Sequence, residues 1–321
     1  MSDFFPKVSI LIITYNQEDV ISDTIESALL QDYENLEIIV SDDASTDRTP
    51  AIVCEYAARY PGKVVPVLNK INLGITGNCN SAFFASTGQI IAFLGGDDLF
   101  LPGKISAQVK LFQSHDVVLS YHSVEIFLHQ TGELLFTTNT TRNEDLNNAY
   151  DIVAKGGIPG ASSVMVRRSV CPINGFDPEF PVASDWLFFI EVAMRGRIEK
   201  LDGVFGRYRK HGKGASEQTF MLLSESLRTL DIVQEHYPLD DKLKDACEKG
   251  AYRYLLGELF RQIVKKDKEK ARLVVDLMLV KVSGVRYFSI LCFSWALKFD
   301  LFVFGVAIVF ERFRSILKRV V

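Results

Sequence analysis

Four short apolar runs rich in β-branched residues punctuate the first hundred residues: VSILII at 8–13, LEIIVS at 36–41, VVPVL at 64–68 and IIAFL at 90–94. None alternates cleanly with polar residues, which predicts strands buried on both faces. Between them the apolar positions shift to helical spacing. Ile21, Ile25, Ala28 and Leu29 share a face within 17–31, and Ile52, Tyr56 and Tyr60 share one within 47–60. Strands alternating with helices predict βαβ units and a Rossmann-like, mostly parallel α/β sheet flanked by helices. Such sheets bind ligands at the carboxyl ends of their strands. Polar clusters fall there: Thr14-Tyr15-Asn16 after the first run, DDAST (42–46) after the second, and GGDD (95–98) after the fourth.

Residues 115–215 are less regular, with a strand-like VVLSY and the turn-rich GGIPGASS (156–163). From about residue 216 the pattern turns helical. The predicted organisation is therefore a main domain over 1–215, with halves at about 1–115 and 116–215, and a helical C-terminal region over 216–321. Within that region the stretch 287–310 is strongly apolar, carries Lys298 and Asp300 at its middle, and is followed by Arg312, Arg314, Lys318 and Arg319. The two central charges disfavour a spanning helix. A tail over 285–321 lying on a membrane surface, or covered in a homo-oligomer or by the core, suits the pattern better.

Composition narrows the class. A 321-residue chain with 48% hydrophobic and 24% charged residues is long enough for a large core. Its net charge of −4 gives no electrostatic case for nucleic acid. Five cysteines without a C-x-x-C pair point to reduced thiols rather than a disulfide framework or zinc site. The apolar run at 8–13 is too short for a signal peptide, so the expectation is a cytoplasmic location.

The clusters offer specific chemistry. Asp42 or Asp43 can accept hydrogen bonds from a nucleobase or ribose, or one of Asp43, Ser45 and Asp47 can cap the next helix. Adjacent Asp97 and Asp98 can bind a hard cation that also takes diphosphate oxygens, or form a solvated turn. Asp185, ahead of a stripe of Leu187, Ile190 and Met194, is a helix cap or a general base. Arg207, Arg209, Lys210, His211 and Lys213 form either a basic loop or a phosphate and metal contact.

In order and spacing these clusters resemble the family 2 glycosyltransferases, inverting enzymes of the GT-A fold that use nucleotide sugars. The resemblance covers roughly residues 7–216. VSILIITYNQEDVISDTIESALLQDYENLEIIVSDDASTDRT is similar to the family's N-terminal signature, GGDD to its D-x-D metal motif, ASDW to its E-D motif and YRKHG to its Y-R-x-H-G loop. Two positions depart: Gly95 stands for the first acid of D-x-D, and Ser184 for the Glu of E-D. The resemblance implies Mn²⁺ or Mg²⁺ held by Asp97 and His211, with Asp98 supporting the metal's waters or the sugar. It implies a nucleoside pocket of Thr14, Tyr15, Asn16, Asp42 and Asp43 with Asn80 nearby, and Arg209 beside the diphosphate. It further implies an acceptor side at Gly160, Ala161 and Ser162, and Asp185 as base. The implied donor is a UDP- or dTDP-sugar, and the acceptor a glycan or lipid-linked hydroxyl met at the cytoplasmic face of a membrane. A non-catalytic nucleotide-sugar binder is the alternative. A sugar nucleotidyltransferase is disfavoured, because TYNQED lacks the Gly-rich phosphate loop such an enzyme needs after its first strand.

Overall fold

The computed structural model describes residues 4–138, 145–156, 158, 160–211 and 219–282. The tail at 285–321, Lys213 and the predicted boundary at 215/216 lie outside the described residues. Among the described residues no helix is long and apolar enough to cross a membrane.

The four apolar runs form strands β1 (Val8–Thr14), β2 (Leu36–Asp42), β3 (Val64–Leu68) and β4 (Ile90–Gly95). The helical stripes form α1 (Ile21–Leu29) and α2 (Thr49–Arg59). A third helix, α3 (Gly74–Ala85), crosses from β3 to β4. The four strands pair in parallel in the order β3-β2-β1-β4. β1, β2 and β4 are buried on both faces, as their continuous apolar runs predict. β3 is not. It lies at the sheet edge and pairs only with β2, so Pro66 and Leu68 are exposed. A proline has no N–H to donate and is tolerated at such an edge.

Beyond β4 the sheet becomes mixed. β5 (Leu99–Phe100) and α4 (Lys104–Leu111) lead to the long β6 (Val117–Leu128), which turns back into β7 (Leu134–Thr137). After α5 (Ala149–Lys155) come β8 (Met165–Arg167), α6 (Ser184–Ala193) and β9 (Arg197–Lys210). β8 inserts antiparallel between β4 and β6, β9 runs parallel to β6, and β5 closes antiparallel onto β9. The parallel arrangement thus belongs to the first half, and short local returns make the second half mixed.

Two cores flank this sheet. On one side Ile10, Ile12, Ile38 and Val40 pack with Ile21, Ile25 and Val53. On the other, Phe83, Phe93, Phe176, Phe188 and Phe189 interlock. Phe176 stacks on Phe188 at 4.3 Å between ring centres, and Phe93 meets Phe189 edge-on at 5.4 Å. Rings in these arrangements add about 0.5–1.5 kcal/mol per pair beyond burial. The cluster fixes α6 against β4 and so sets where the first turn of α6 projects.

The chain divides into two compact units, one of residues up to 152 with 157–217, the other of 153–156 with 218 onward. The second unit holds α7 (Thr219–His236), α8 (Asp241–Val264) and α9 (Lys268–Lys281). The Asp240 and Asp267 side chains cap α8 and α9, accepting from Leu243 N and Lys270 N at 2.7 and 3.1 Å.

Within β2, Glu37 points into the sheet and is buried. Burial alone would raise its pKa, but hydrogen bonds from Lys7, Ser9 and Thr87 outweigh it and hold the group at about 2. The Lys7 ammonium lies 2.6 Å away and the Ser9 hydroxyl 2.5 Å. A depressed carboxyl pKa contributes stability that is present above its ordinary value of 4.5 and lost as pH falls towards about 2. Glu37→Gln is expected to cost about 1–3 kcal/mol at neutral pH. In denaturant melts its stability should also fall less than the parent's between pH 5 and pH 2.

Candidate active site

The carboxyl ends of β1, β2 and β4 converge on one edge of the sheet, and most of the polar clusters sit there. Asp43 N donates to Thr14 O at 3.0 Å and Gly96 N to Ile13 O at 2.9 Å, so the loops after these strands are tied to one another. Of the Thr14-Tyr15-Asn16 triplet, Thr14 is buried and donates to Gln17 Oε1 at 2.8 Å. Asn16 takes a left-handed φ of 51°. Its N–H donates to Ser45 Oγ and its Oδ1 accepts from Thr46 N, both at 2.8 Å. Tyr15 is exposed, so its ring is open to a ligand.

Both carboxylates of DDAST are buried, and both brace loops. Asp42 holds Ser45 through its backbone N–H (3.0 Å) and hydroxyl (2.5 Å). Asp43 accepts from Leu73 N at 2.8 Å, Gly74 N at 2.9 Å and Asn69 Nδ2 at 3.2 Å. It anchors the start of α3, two segments further on, rather than the helix that follows it. Asp47 braces the start of α2 by accepting from Thr49 N at 2.9 Å.

The turn after β4 answers why two carboxylates stand side by side. Their surroundings differ. Asp98 is buried and faces inward: Oδ1 accepts from Arg209 N at 3.1 Å, and Oδ2 from the Ser162 hydroxyl. Burial and the neighbouring charge of Asp97 hold its pKa well above the usual carboxylate range, opposed by the Ser162 and Arg209 hydrogen bonds. Asp97 faces outward, its Oδ2 lying 2.8 Å from His211 Nε2. Asp98 N donates to Gly95 O at 3.0 Å, and the Thr24 hydroxyl reaches Gly96 O and Asp98 O at 3.0 and 2.9 Å. Of the predicted acceptor-side residues, Gly160 has a left-handed φ of 87° and precedes a one-turn 3₁₀ helix, Ala161–Ser163. Gln108 anchors that turn from behind by donating to Ser163 O at 3.2 Å.

The glycines of GGDD have separate reasons. A Cβ on Gly96 would collide with the Gln17 side-chain oxygen and come within 2.7 Å of Ile13 O. A Cβ on Gly95 would lie 3.2 Å from both Asp97 Oδ1 and Asp98 Oδ2. An acid there would crowd a third carboxylate against two, and the Ser162 hydroxyl already accepts from Gly95 N at 3.2 Å.

Asp185 lies in the first turn of α6, whose N-cap residue is Ala183 with no side-chain cap bond. The capping role open to Asp185 from the sequence is therefore not the one it has. Ser184 is buried, and the Thr76 hydroxyl bridges it to Phe180 O. Burial, then the charges of Asp185 and Asp43, push the Cys79 thiol up to about 12.

Two predicted residues are directed elsewhere. The Asn80 amide is engaged with the backbone of Phe176, at 2.8 Å in both directions. Asn78 instead serves the strand ends, bonding Thr14 O, Ser41 O and the Ser41 hydroxyl. Asn78 lies four residues before buried Ala82, so helical spacing marks it as the inward one. The Arg209 guanidinium is also engaged: Nε donates to Asp97 O at 2.7 Å, and the other nitrogens meet His129 Nδ1 and Asp23 Oδ2 at 3.2 and 3.3 Å. It is turned to the protein rather than left open for a diphosphate. Asp23, His129 and Gln17 carry no motif that singles them out in the sequence.

Among the described residues no three His, Cys, Asp or Glu side chains surround one point. The pair Asp97 and His211 nevertheless fits a divalent cation of the Mg²⁺ or Mn²⁺ kind, which binds through one or two protein donors and completes its shell with water and phosphate oxygens.

The sequence model described as Glycosyl transferase family 2 matches residues 9–170, half of the chain, and the chain belongs to that family. An Escherichia coli relative, UDP-Glc:alpha-D-GlcNAc-diphosphoundecaprenol beta-1,3-glucosyltransferase WfaP, is 39% identical over 233 residues, 71% of this chain and 88% of that protein. Against mycobacterial relatives matched at 32% identity over 210 residues, the chain spans 60% of their length. Staphylococcus aureus TarS 1-349 in complex with UDP-GlcNAc superposes with a TM-score of 0.67 at 16% identity, covering 95% of this chain and 92% of that one. Mannosyltransferase PcManGT from Pyrobaculum calidifontis, in complex with GDP-Man and Mn²⁺, gives 0.61 at 18% identity, covering 92% and 82%. The fold is therefore GT-A.

The glycine contacts predict a contrast. Gly96→Ala should lose about 1–3 kcal/mol through overpacking against backbone that cannot yield, and should impair nucleotide binding. Gly95→Ala should stay nearer the parent in the same urea melts.

Proposed function

We propose that the chain is an inverting glycosyltransferase. It moves a sugar from a nucleoside-diphosphate sugar, UDP-linked or dTDP-linked, to a hydroxyl of a lipid-linked glycan in cell-surface polysaccharide assembly. The observation that carries the reading is the Asp97–His211 pair at the carboxyl end of β4, in a family 2 chain, with Asp185 projecting from the first turn of α6. The names of WfaP, which acts on a diphosphoundecaprenol-linked sugar, and of the two nucleotide-sugar complexes support the donor and acceptor classes. So does the apolar tail with its basic end, which suits a protein working at the cytoplasmic membrane face.

In this mechanism Tyr15, with the loops braced by Asp42 and Asp43, receives the nucleoside. Asp97 and His211 would hold the cation, Mn²⁺ or Mg²⁺, whose charge would offset the negative charge that grows on the leaving nucleoside diphosphate. Asp185 takes the proton from the acceptor hydroxyl as its oxygen attacks the anomeric carbon from the face opposite the leaving group. One displacement inverts the anomeric centre and needs no protein nucleophile. The acceptor enters past Gly160, Ala161 and Ser162, with Ser162 held by Asp98.

Two variants separate these roles. Asp185→Asn should leave stabilisation by UDP-glucose with Mn²⁺ within about twofold in affinity and lower transfer by about 10²–10⁴-fold. Transfer close to the parent rate would remove Asp185 from the mechanism. Asp97→Ala should abolish the extra thermal stabilisation that Mn²⁺ adds to UDP-glucose and keep the metal-free part. Equal loss of both would mark a fold defect instead.

A further inference from the structure

We propose that His129 is a positioning residue of the site, acting through Arg209 on the turn that carries Asp97 and Asp98. The inference rests on the reading of Asp97 and His211 as cation ligands and adds a residue that neither the motifs nor the family match assigns.

Arg209 bonds the turn twice. Its backbone N–H holds Asp98 Oδ1 at 3.1 Å, and its Nε holds Asp97 O at 2.7 Å. The two contacts hold both residues of the pair from one strand, and the second depends on where the guanidinium sits. Three groups set its place. Phe127, opposite Arg209 in the β6–β9 register, lies under it at 5.1 Å from ring centre to Cζ. Asp23, from the first turn of α1, takes Nη2 at 3.3 Å. His129, at the start of the β6–β7 turn, takes Nη1 at 3.2 Å through Nδ1.

The chemistry of the last contact is directional. A guanidinium has only donors, so Nδ1 must offer its lone pair, and the ring carries its proton on Nε2. The His129 backbone is tied to the same strand: its N–H donates to Lys210 O at 3.0 Å, which docks the turn on β9 one residue beyond Arg209. Asp23 is largely exposed, and an exposed ion pair restrains little. Arg209 itself is buried over Phe127, and His129 supplies the acceptor that Nη1 meets. The guanidinium plane in turn aims Nε at Asp97 O and so steadies the backbone of the residue whose carboxylate meets His211.

The test uses the full-length chain and Mn²⁺ alone, with free Mn²⁺ read by electron paramagnetic resonance, and melting midpoints recorded in parallel. His129 is exposed, so its variants should fold. His129→Leu removes the acceptor. His129→Asn places an amide oxygen where Nδ1 stood. Asp23→Ala loosens the guanidinium from its other side, and Asp97→Ala removes the ligand. Outer-shell partners of a metal site are worth about tenfold or more in affinity, so His129→Leu should weaken Mn²⁺ binding by about tenfold with an unchanged midpoint, while His129→Asn stays within about twofold of the parent. Asp23→Ala should move in the same direction by less. Parent-like binding by His129→Leu would overturn the inference, and so would binding by His129→Asn as weak as by His129→Leu. If those results came while Asp97→Ala lost Mn²⁺, the positioning role alone would fail. If Asp97→Ala bound Mn²⁺ as the parent does, the ligand reading would fail and the inference with it.

Discussion

The site depends on one buried carboxylate. Asp98 sits between the Ser162 hydroxyl and the Arg209 backbone N–H, joining the turn after β4, the 3₁₀ turn before β8 and the end of β9. A buried carboxylate is tolerated only when its oxygens are satisfied, so this residue forces three separate chain segments to one point. Asp97 Oδ2 instead meets His211 Nε2. In the proposed mechanism Asp98 is the structural half of the pair and Asp97 the chemical half.

This division accounts for the departures from the family pattern. Gly95 replaces an acid where the Ser162 hydroxyl now approaches the backbone and where a third carboxylate would lie against two others. Ser184 replaces a Glu but is buried and bonded through Thr76, which ties the start of α6 to the start of α3. Both changes substitute internal hydrogen bonding for acidity. In the proposed mechanism Asp97, His211 and Asp185 are the groups that meet substrate.

Much of the first half was legible in the sequence for simple reasons. Continuous apolar runs favour strands covered on both sides, and β1, β2 and β4 are such strands. β3 has the same look and is an edge strand, because an apolar run of five does not report how many neighbours it has; Pro66 was the available sign. The mixed second half was hidden because β5 and β8 are two and three residues long and are strands only by pairing. At the site, the order of the motifs pairs Asp97 with His211, and their side chains lie 2.8 Å apart. Side-chain direction was not legible. Arg209 and Asn80 look like ligand contacts, yet one is oriented by partners from α1 and the β6–β7 turn and the other by the backbone of residue 176. Asp43 looks like a cap for the next helix and braces a later one. In each case the partner that orients the side chain is remote in sequence.

The central claim is that the two carboxylates have different tasks, and a crystal structure of the full chain with Mn²⁺ and UDP tests it most directly. The account predicts an anomalous manganese peak bonded to Asp97 and His211 and to the diphosphate, with Asp98 still held by Ser162 and the Arg209 N–H. A manganese ion bonded to Asp98, with the Ser162 contact broken, would contradict it.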